Sequence, residues 1–239
     1  MVLAAAWVAV AWPDADVGSI HGVVKFPGET PPPAMVANRD DRACPRGIGE
    51  NHLLVNQTTL GLQNALVVLE PSPLPPSTLG RAQLTVRQCT IEPRIQWVAP
   101  DSGLFMRSDG PAAHHLHAYR DAQSVFEIDL PADGTEVRRP LVDPGLYKIN
   151  CDRHLWERAW IYVTDNRTAA LSDGNGEFMF RSIPPGRYTV RVWHEGWIET
   201  DPAADGRIER RPEGETKSVR VRADQTTEVR FDGLAPLEP

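Results

Sequence analysis

"GLYKINCDRHLWERAW", Gly145–Trp160, sets a thiol and an imidazole three residues apart, Cys151 and His154, at the end of a strand-like run. No CxxC pair stands elsewhere in the chain to complete a zinc finger with them. Upstream, "AAHHLHAY", Ala112–Tyr119, crowds His114, His115 and His117 into four positions. A second strand-like run therefore carries the side chains that could complete a site with the first.

Working outward, both runs belong to a series of short β-branched and aromatic stretches. They include "AQLTVRQC", "RIQWVAP", "GLFMRS", "SVFEIDL" and "RAWIYVT" before Asp165, and "RYTVRVW", "KSVRVRA" and "TTEVRFDGL" after it. "GSIHGVVKFPG", "HLLVNQ" and "LQNALVVLE" are the strand candidates nearer the N-terminus. Eighteen glycines and 22 prolines punctuate the 239 residues, and no long 3.6-residue apolar period appears. The expected fold class is all-β, as sandwiches, with room for two modest domains. "PSPLPPSTLG", 71–80, reads as an extended connector between them. "DGNG", 173–176, reads as a tight hairpin turn. In "RYTVRVW", Tyr188, Val190 and Val192 share one face and Arg187, Thr189 and Arg191 the other.

A formal net charge of −7 leaves no basic stripe for phosphates, so no nucleic-acid partner is expected. Val2–Trp12 is an apolar run stopped by Pro13, too short for the roughly 20 residues of a membrane helix. It is similar to the apolar core of a secretory signal, although no cation precedes it; a buried first strand is the alternative. Residues 1–17 are accordingly read as a leader remnant, the protein as periplasmic or extracellular, and the mature chain as lacking a stable membrane span. Three cysteines make an odd count, which in an exported chain implies one pair and one thiol kept for other use. If two pair, they are Cys44 and Cys89; three free buried thiols are the alternative.

"SDGNGEFMFRSIPPGRYTVRVWHEG", Ser172–Gly196, resembles the carboxypeptidase-regulatory-like domains, small transthyretin-type β-sandwiches. The resemblance lies in an acidic-Gly turn, a strand, then Pro-Pro-Gly-x-Tyr and another strand. It implies an opening strand like "GSIHGVVKFPG" and a second like "NALVVLE". Both occur, but about a hundred residues upstream. One sandwich split into 18–80 and 166–239, with 81–165 inserted, fits this order; an independent N-terminal unit is the alternative.

The middle segment resembles the cupredoxins. "DPGLYKINCDRH" matches their Pro-Gly-x-Tyr strand followed by Cys-x-x-His, and "AAHHLHAY" matches the first-histidine element through His114. The resemblance implies a Greek-key sandwich holding copper on Cys151, His114 and His154. One soft thiolate and two imidazoles suit both Cu(II) and Cu(I), with a weak axial fourth ligand. Short-loop family members read Cys-x-x-His-Pro-x-Met. Here Leu155 stands at the proline and Glu157 at the methionine. A carboxylate is a hard donor that favours Cu(II) and equally suits zinc, so Glu157 is either an axial ligand or a solvent-facing residue. Strand alternation keeps a rival open: His115 and His117 share the face opposite His114 and form an alternative HxH site, or extend the first site as hydrogen-bond partners. Trp156 and Trp160 are expected to pack around the loop. His194 is expected to be structural or at the surface.

No GxSxG, Walker loop, Rossmann glycine fingerprint or HExxH is present, and no enzymatic activity is expected. Two function classes remain. One is an exported copper protein acting in electron transfer or copper handling, with a redox or copper-trafficking partner. The other is a structural or ligand-binding sandwich, for carbohydrate or protein, whose metal site has degenerated and holds no cofactor.

Overall fold

A computed structural model describes residues 16–31, 34–36, 44, 48–50, 52–74, 81–201, 206–210 and 214–234. The leader reading of 1–17 falls almost wholly outside the described residues, as does the second half of the connector, 75–80. Every regular element among the described residues is a strand, as the composition implies. No helix among them is long and apolar enough to cross a membrane.

Four sheets stack as layers. The first runs β15 (Glu177–Ile183), β1 (Gly18–Val24), β20 (Thr226–Phe231), with β1 antiparallel to β15 and parallel to β20. The second runs β14 (Ala169–Leu171), β4 (Leu66–Glu70), β16 (Gly186–Trp193), β19 (Glu215–Val221). The third runs β10 (Gln123–Leu130), β9 (His114–Arg120), β12 (Gly145–Cys151), β13 (Arg158–Val163), β7 (Ile95–Val98). The fourth runs β11 (Val137–Leu141), β8 (Ser102–Ser108), β5 (Ala82–Arg87), β6 (Thr90–Glu92). Two small ribbons pair β2 (Ala34–Val36) with β3 (Ile48–Glu50), and β17 (Trp197–Asp201) with β18 (Gly206–Arg210).

Side-chain alternation divides the core between these layers. Ile20, Val24, Val67, Leu69, Phe178, Phe180, Val190, Val192 and Phe231 fill the space between the first and second sheets. Leu84, Val86, Leu104, Met106, Leu116, Ala118, Ile149 and Ile161 fill that between the third and fourth. The fold is thus all-β, two face-to-face sandwiches. The strand at the centre of "ALVVLE" is apolar throughout because both of its faces are covered. Val67 and Leu69 face the first core, while Leu66 and Val68 pack with Ile95 and Trp160 of the third sheet. Along β13 the same division recurs: Ala159, Ile161 and Val163 point into one core, and Trp160 and Tyr162 into the seam between sandwiches.

Both sandwiches turn a corner with the same device. In "DPGLY" the Tyr147 hydroxyl donates to the Asp143 carbonyl at 3.0 Å; in "PPGRY" the Tyr188 hydroxyl donates to the Pro184 carbonyl at 3.0 Å. Each bond reaches four residues back and fixes the entry of a central strand, β12 or β16.

Three sequence expectations are corrected. "HLLVNQ" is not a strand, since only Val55 bridges, to Leu62; its Asn56 side chain instead caps a turn by accepting from Thr58 and Thr59 N–H. "DGNG" is a tight turn but not a hairpin: β14 and β15 pair with β4 and β1, so the turn crosses from the second sheet to the first. Gly176 has φ +79° there, and a Cβ would lie 2.2 Å from the Val24 carbonyl oxygen, so no larger residue fits. Finally, β6 and β11 escaped the pattern reading, being short or interrupted by Pro140.

Candidate metal centre

β9 and β12 are antiparallel neighbours, with Asn150 opposite His117 and Cys151 opposite Leu116. That register brings the start of β9 beside the end of β12. His114 then faces inward with Leu116, at the same end of the sandwich as Cys151. The loop after Cys151 closes tightly: Glu157 N–H donates to the His154 carbonyl at 2.9 Å, and Cys151 N–H to the Glu157 carbonyl at 3.1 Å. This folds His154 and Glu157 back over the thiol. Asp152 N–H donates to the His115 carbonyl at 2.9 Å, tying the loop to β9.

Four side chains from two separate stretches meet in consequence. One donor atom each from His114, Cys151, His154 and Glu157 lies within 4.8 Å of all the others, and all four residues are buried. The two imidazoles present Nδ1 to each other at 3.2 Å. Cys151 Sγ is 3.6 Å from His154 Nδ1 and 4.0 Å from His114 Nδ1. Ligands at about 2.0 Å (nitrogen) and about 2.3 Å (sulfur) from one ion stand roughly 3.3–3.8 Å apart, so the donor set fits a single metal ion. Glu157 Oε2 accepts from His114 Nδ1 at 2.8 Å. Its Oε1 has no hydrogen-bond partner, although His154 Nδ1 is 3.4 Å away. A buried carboxylate oxygen without a hydrogen bond is costly, and a metal ion would satisfy it.

The electrostatics follow from this crowding. Burial works to lower the His114 pKa, but hydrogen bonds to Cys151 and Glu157 outweigh it and raise it to about 9. The hydrogen bond to Cys151, and then the Glu157 carboxylate beside the ring, raise His154 to about 10. Burial opposes ionisation of Cys151, yet the two imidazoles bring its thiol below the ordinary range; the backbone N–H of His115 on the sulfur acts in the same direction. Glu157 is likewise lowered by the two imidazoles against its burial. The imidazoles and the two acidic groups thus favour one another's charged forms, a role that a bound cation would take over.

Around it stands a wall that the sequence did not reveal. Cys44 and Cys89 form a disulfide, the pairing expected, and close a loop with a sequence separation of 45, worth roughly 4 kcal/mol in chain-entropy terms. Cys44 Sγ lies 3.7 Å from His154 Nε2. The Trp156 ring lies 5.1 Å from the His154 ring, tilted 46° to it, and donates Nε1–H to the Cys89 carbonyl at 2.8 Å. His154 is therefore only 2 % exposed, whereas the adjacent Leu155 is 58 % exposed.

Two expectations are revised. His115 and His117 sit on the outer face of β9, away from the cluster. His115 bonds Asp129 at 3.0 Å, and His117 bonds Ser124 at 2.8 Å and the Tyr119 hydroxyl at 2.6 Å. Neither side chain extends the inner site; the contribution of His115 is its backbone. Trp160 does not pack on the loop but lies in the seam, its Nε1–H donating to Glu195 Oε2 at 3.0 Å. Glu195 also takes a two-pronged pair from Arg94, with Nη2 at 2.7 Å, and Arg94 reaches the ring of His52. This buried polar group links the two sandwiches. His194 beside it is 1 % exposed, and burial holds its pKa down at about 4. Neither His52 nor Arg94 gave any signal in the sequence.

No protein-family model matches the chain, and no curated protein does. Among solved structures it is similar to a purple cupredoxin from Nitrosopumilus maritimus, at 16 % identity and TM-score 0.32, over 35 % of this chain and 99 % of that one. It is similar to a mutant of amicyanin in its reduced Cu(I) form at 14 % identity and TM-score 0.31, over 41 % of this chain and 98 % of that one. A copper-containing nitrite reductase from Thermus scotoductus matches at 15 % identity and TM-score 0.31, over 37 % of this chain but only 25 % of its own length.

Proposed function

We propose that this chain is an exported, non-enzymatic copper-binding protein whose mononuclear site is His114, Cys151, His154 and Glu157. The observation that carries the reading is the convergence of two imidazole Nδ1 atoms, one thiol and one carboxylate within 4.8 Å in a buried pocket. Two imidazoles and a thiolate form the donor set that tolerates copper in both oxidation states. The segment 81–165 is read as a cupredoxin-like sandwich inserted into a transthyretin-like one made of 18–80 and 166–239. The separate core running from Ala82 to Val163 supports that division. The Cys44–Cys89 disulfide supports export, since disulfides persist in oxidising compartments.

Glu157 shapes the role. A buried carboxylate beside a thiolate balances the charge of Cu(II) and leaves an excess negative charge over Cu(I). The site therefore favours Cu(II), and copper handling is the better description than rapid electron shuttling. The sealed ring of His154 argues the same way. The carboxylate also favours a second reading, tetrahedral zinc on the same four ligands.

Titrating purified protein with Cu(II) tests the proposal. One equivalent should produce a thiolate-to-copper absorption band that is absent in Cys151→Ser, and should raise the melting temperature, because an ion bound only by the native state stabilises it. A rise with Zn(II) and no band with Cu(II) would favour the zinc reading. No band and no change in melting temperature with either ion would overturn both.

A further inference from the structure

The Cys44–Cys89 disulfide is placed where a merely stapling bond need not be. One donor atom from each of Cys44, Cys89 and Glu157 lies within 4.8 Å of the others, a second buried cluster that shares Glu157 with the first. Cys44 Sγ also stands 3.7 Å from His154 Nε2, the ring nitrogen pointing away from the first cluster. Both cysteines are at most 5 % exposed and pack with Ala112 and Trp156. The disulfide is thus one wall of the metal pocket, reached from the first position through a single imidazole and a single carboxylate.

From this juxtaposition we infer that reduction of Cys44–Cys89 converts the wall into a second metal position, specific for Cu(I), adjoining the first. The inference rests on the copper reading of the first site for its purpose, but not for its chemistry. Two thiolates are soft donors that select Cu(I) over harder divalent ions. In the disulfide neither sulfur is available as an anionic ligand, so the position exists only in the reduced state.

The reducing step needs a dithiol from outside the chain. Its thiolate attacks one sulfur, the S–S bond breaks, and a mixed disulfide forms. Its second thiol then displaces that sulfur and the reductant departs as a disulfide. Two electrons and two protons have passed to Cys44 and Cys89, which are now thiols. Binding of Cu(I) sends both protons to solvent and leaves a bis-thiolate position. Copper held on the inner ligands as Cu(II) and copper held on the wall as Cu(I) would then be neighbours across His154, an arrangement suited to reductant-dependent release.

The test is copper stoichiometry, with Cu(I) supplied from its bicinchoninate complex under anaerobic conditions. Protein is compared as isolated and after phosphine reduction and desalting. Reduced wild type should take one Cu(I) more per chain than the disulfide form. In Cys151→Ser, which lacks the inner thiolate, the reduced protein should still take one Cu(I) that the oxidised protein does not. Alkylating reduced Cys151→Ser with iodoacetamide, which leaves only Cys44 and Cys89 to react, should abolish that uptake without relying on a cysteine variant to fold. Equal uptake by reduced and oxidised protein, or uptake that survives alkylation, would overturn the inference. If oxidised wild type binds no copper while reduced Cys151→Ser binds one, the inner-site reading fails and the wall position stands.

Discussion

Glu157 Oε2 lies 2.8 Å from His114 Nδ1 with both side chains sealed from water, so the carboxylate is a buried partner of a candidate ligand. The sequence shows the carboxylate but not its orientation. With the carboxylate turned inward, its charge would bear on which oxidation state a bound copper ion prefers.

Replacing Glu157 by Met should therefore raise the reduction potential. A unit charge about 4 Å away at an effective dielectric near 20 is worth about 4 kcal/mol, or roughly 170 mV for a one-electron couple. The thiolate-to-copper absorption should strengthen as the hard donor is lost. Redox titration of the copper-loaded variant reads both, and an unchanged potential would show that Glu157 does not bear on the metal.

The two faces of β9 predict opposite outcomes for neighbouring histidines. His114→Ala should weaken copper binding roughly 100-fold or more, at least the loss that follows from removing an outer hydrogen-bond partner of a ligand. The double variant His115→Ala/His117→Ala should bind copper as wild type does. Competition titration against a chelator measures both, and weakening by the outer pair would move the site to the other face.

How much of this could be read from the sequence depends on the kind of information involved. Strand alternation is local, so the inward facing of Tyr188, Val190 and Val192 and the opposed faces of His114 and His115 follow from the residue order. Cys151 and His154 share one loop and were visible for the same reason. The disulfide wall was not, because nothing local tells Cys44 that it will lie against His154, 110 residues away. Trp160 was misplaced because an aromatic on a strand buried on both faces gives no sign of which neighbour covers it. His52, Arg94 and Glu195 come together only through the packing of one sandwich on the other, and each alone reads as a surface residue.

The matched tyrosine corners make a test of the two-core architecture. Tyr147→Phe and Tyr188→Phe each remove one hydroxyl-to-carbonyl bond and should each cost about 1 kcal/mol. Because the rings sit in different cores, the double variant should lose the sum if unfolding is a single transition. Denaturant unfolding of the three variants provides the comparison, and strong coupling between the two sites would contradict separate cores.

His194 predicts an acid limb to stability. Above pH 6.5 the ring is neutral whether the chain is folded or not, and burial imposes no charge penalty. Below that pH the unfolded chain binds a proton that the folded chain refuses until about pH 4. Stability should fall as pH drops from 6.5 to about 4, by up to about 3 kcal/mol at about 1.4 kcal/mol per pKa unit. Melting temperature followed across this range should flatten in His194→Gln. A slope unchanged by that substitution would place the sensitivity elsewhere.

The central claim is that one ion is held jointly by the side chains at 114, 151 and 154. Copper-edge anomalous scattering from crystals grown with one equivalent of Cu(II) tests it directly. A single strong peak at bonding distance from both Nδ1 atoms and from the Cys151 sulfur is the predicted result. A peak on the outer face beside His115 and His117, or none in a crystal whose protein is otherwise intact, would contradict it.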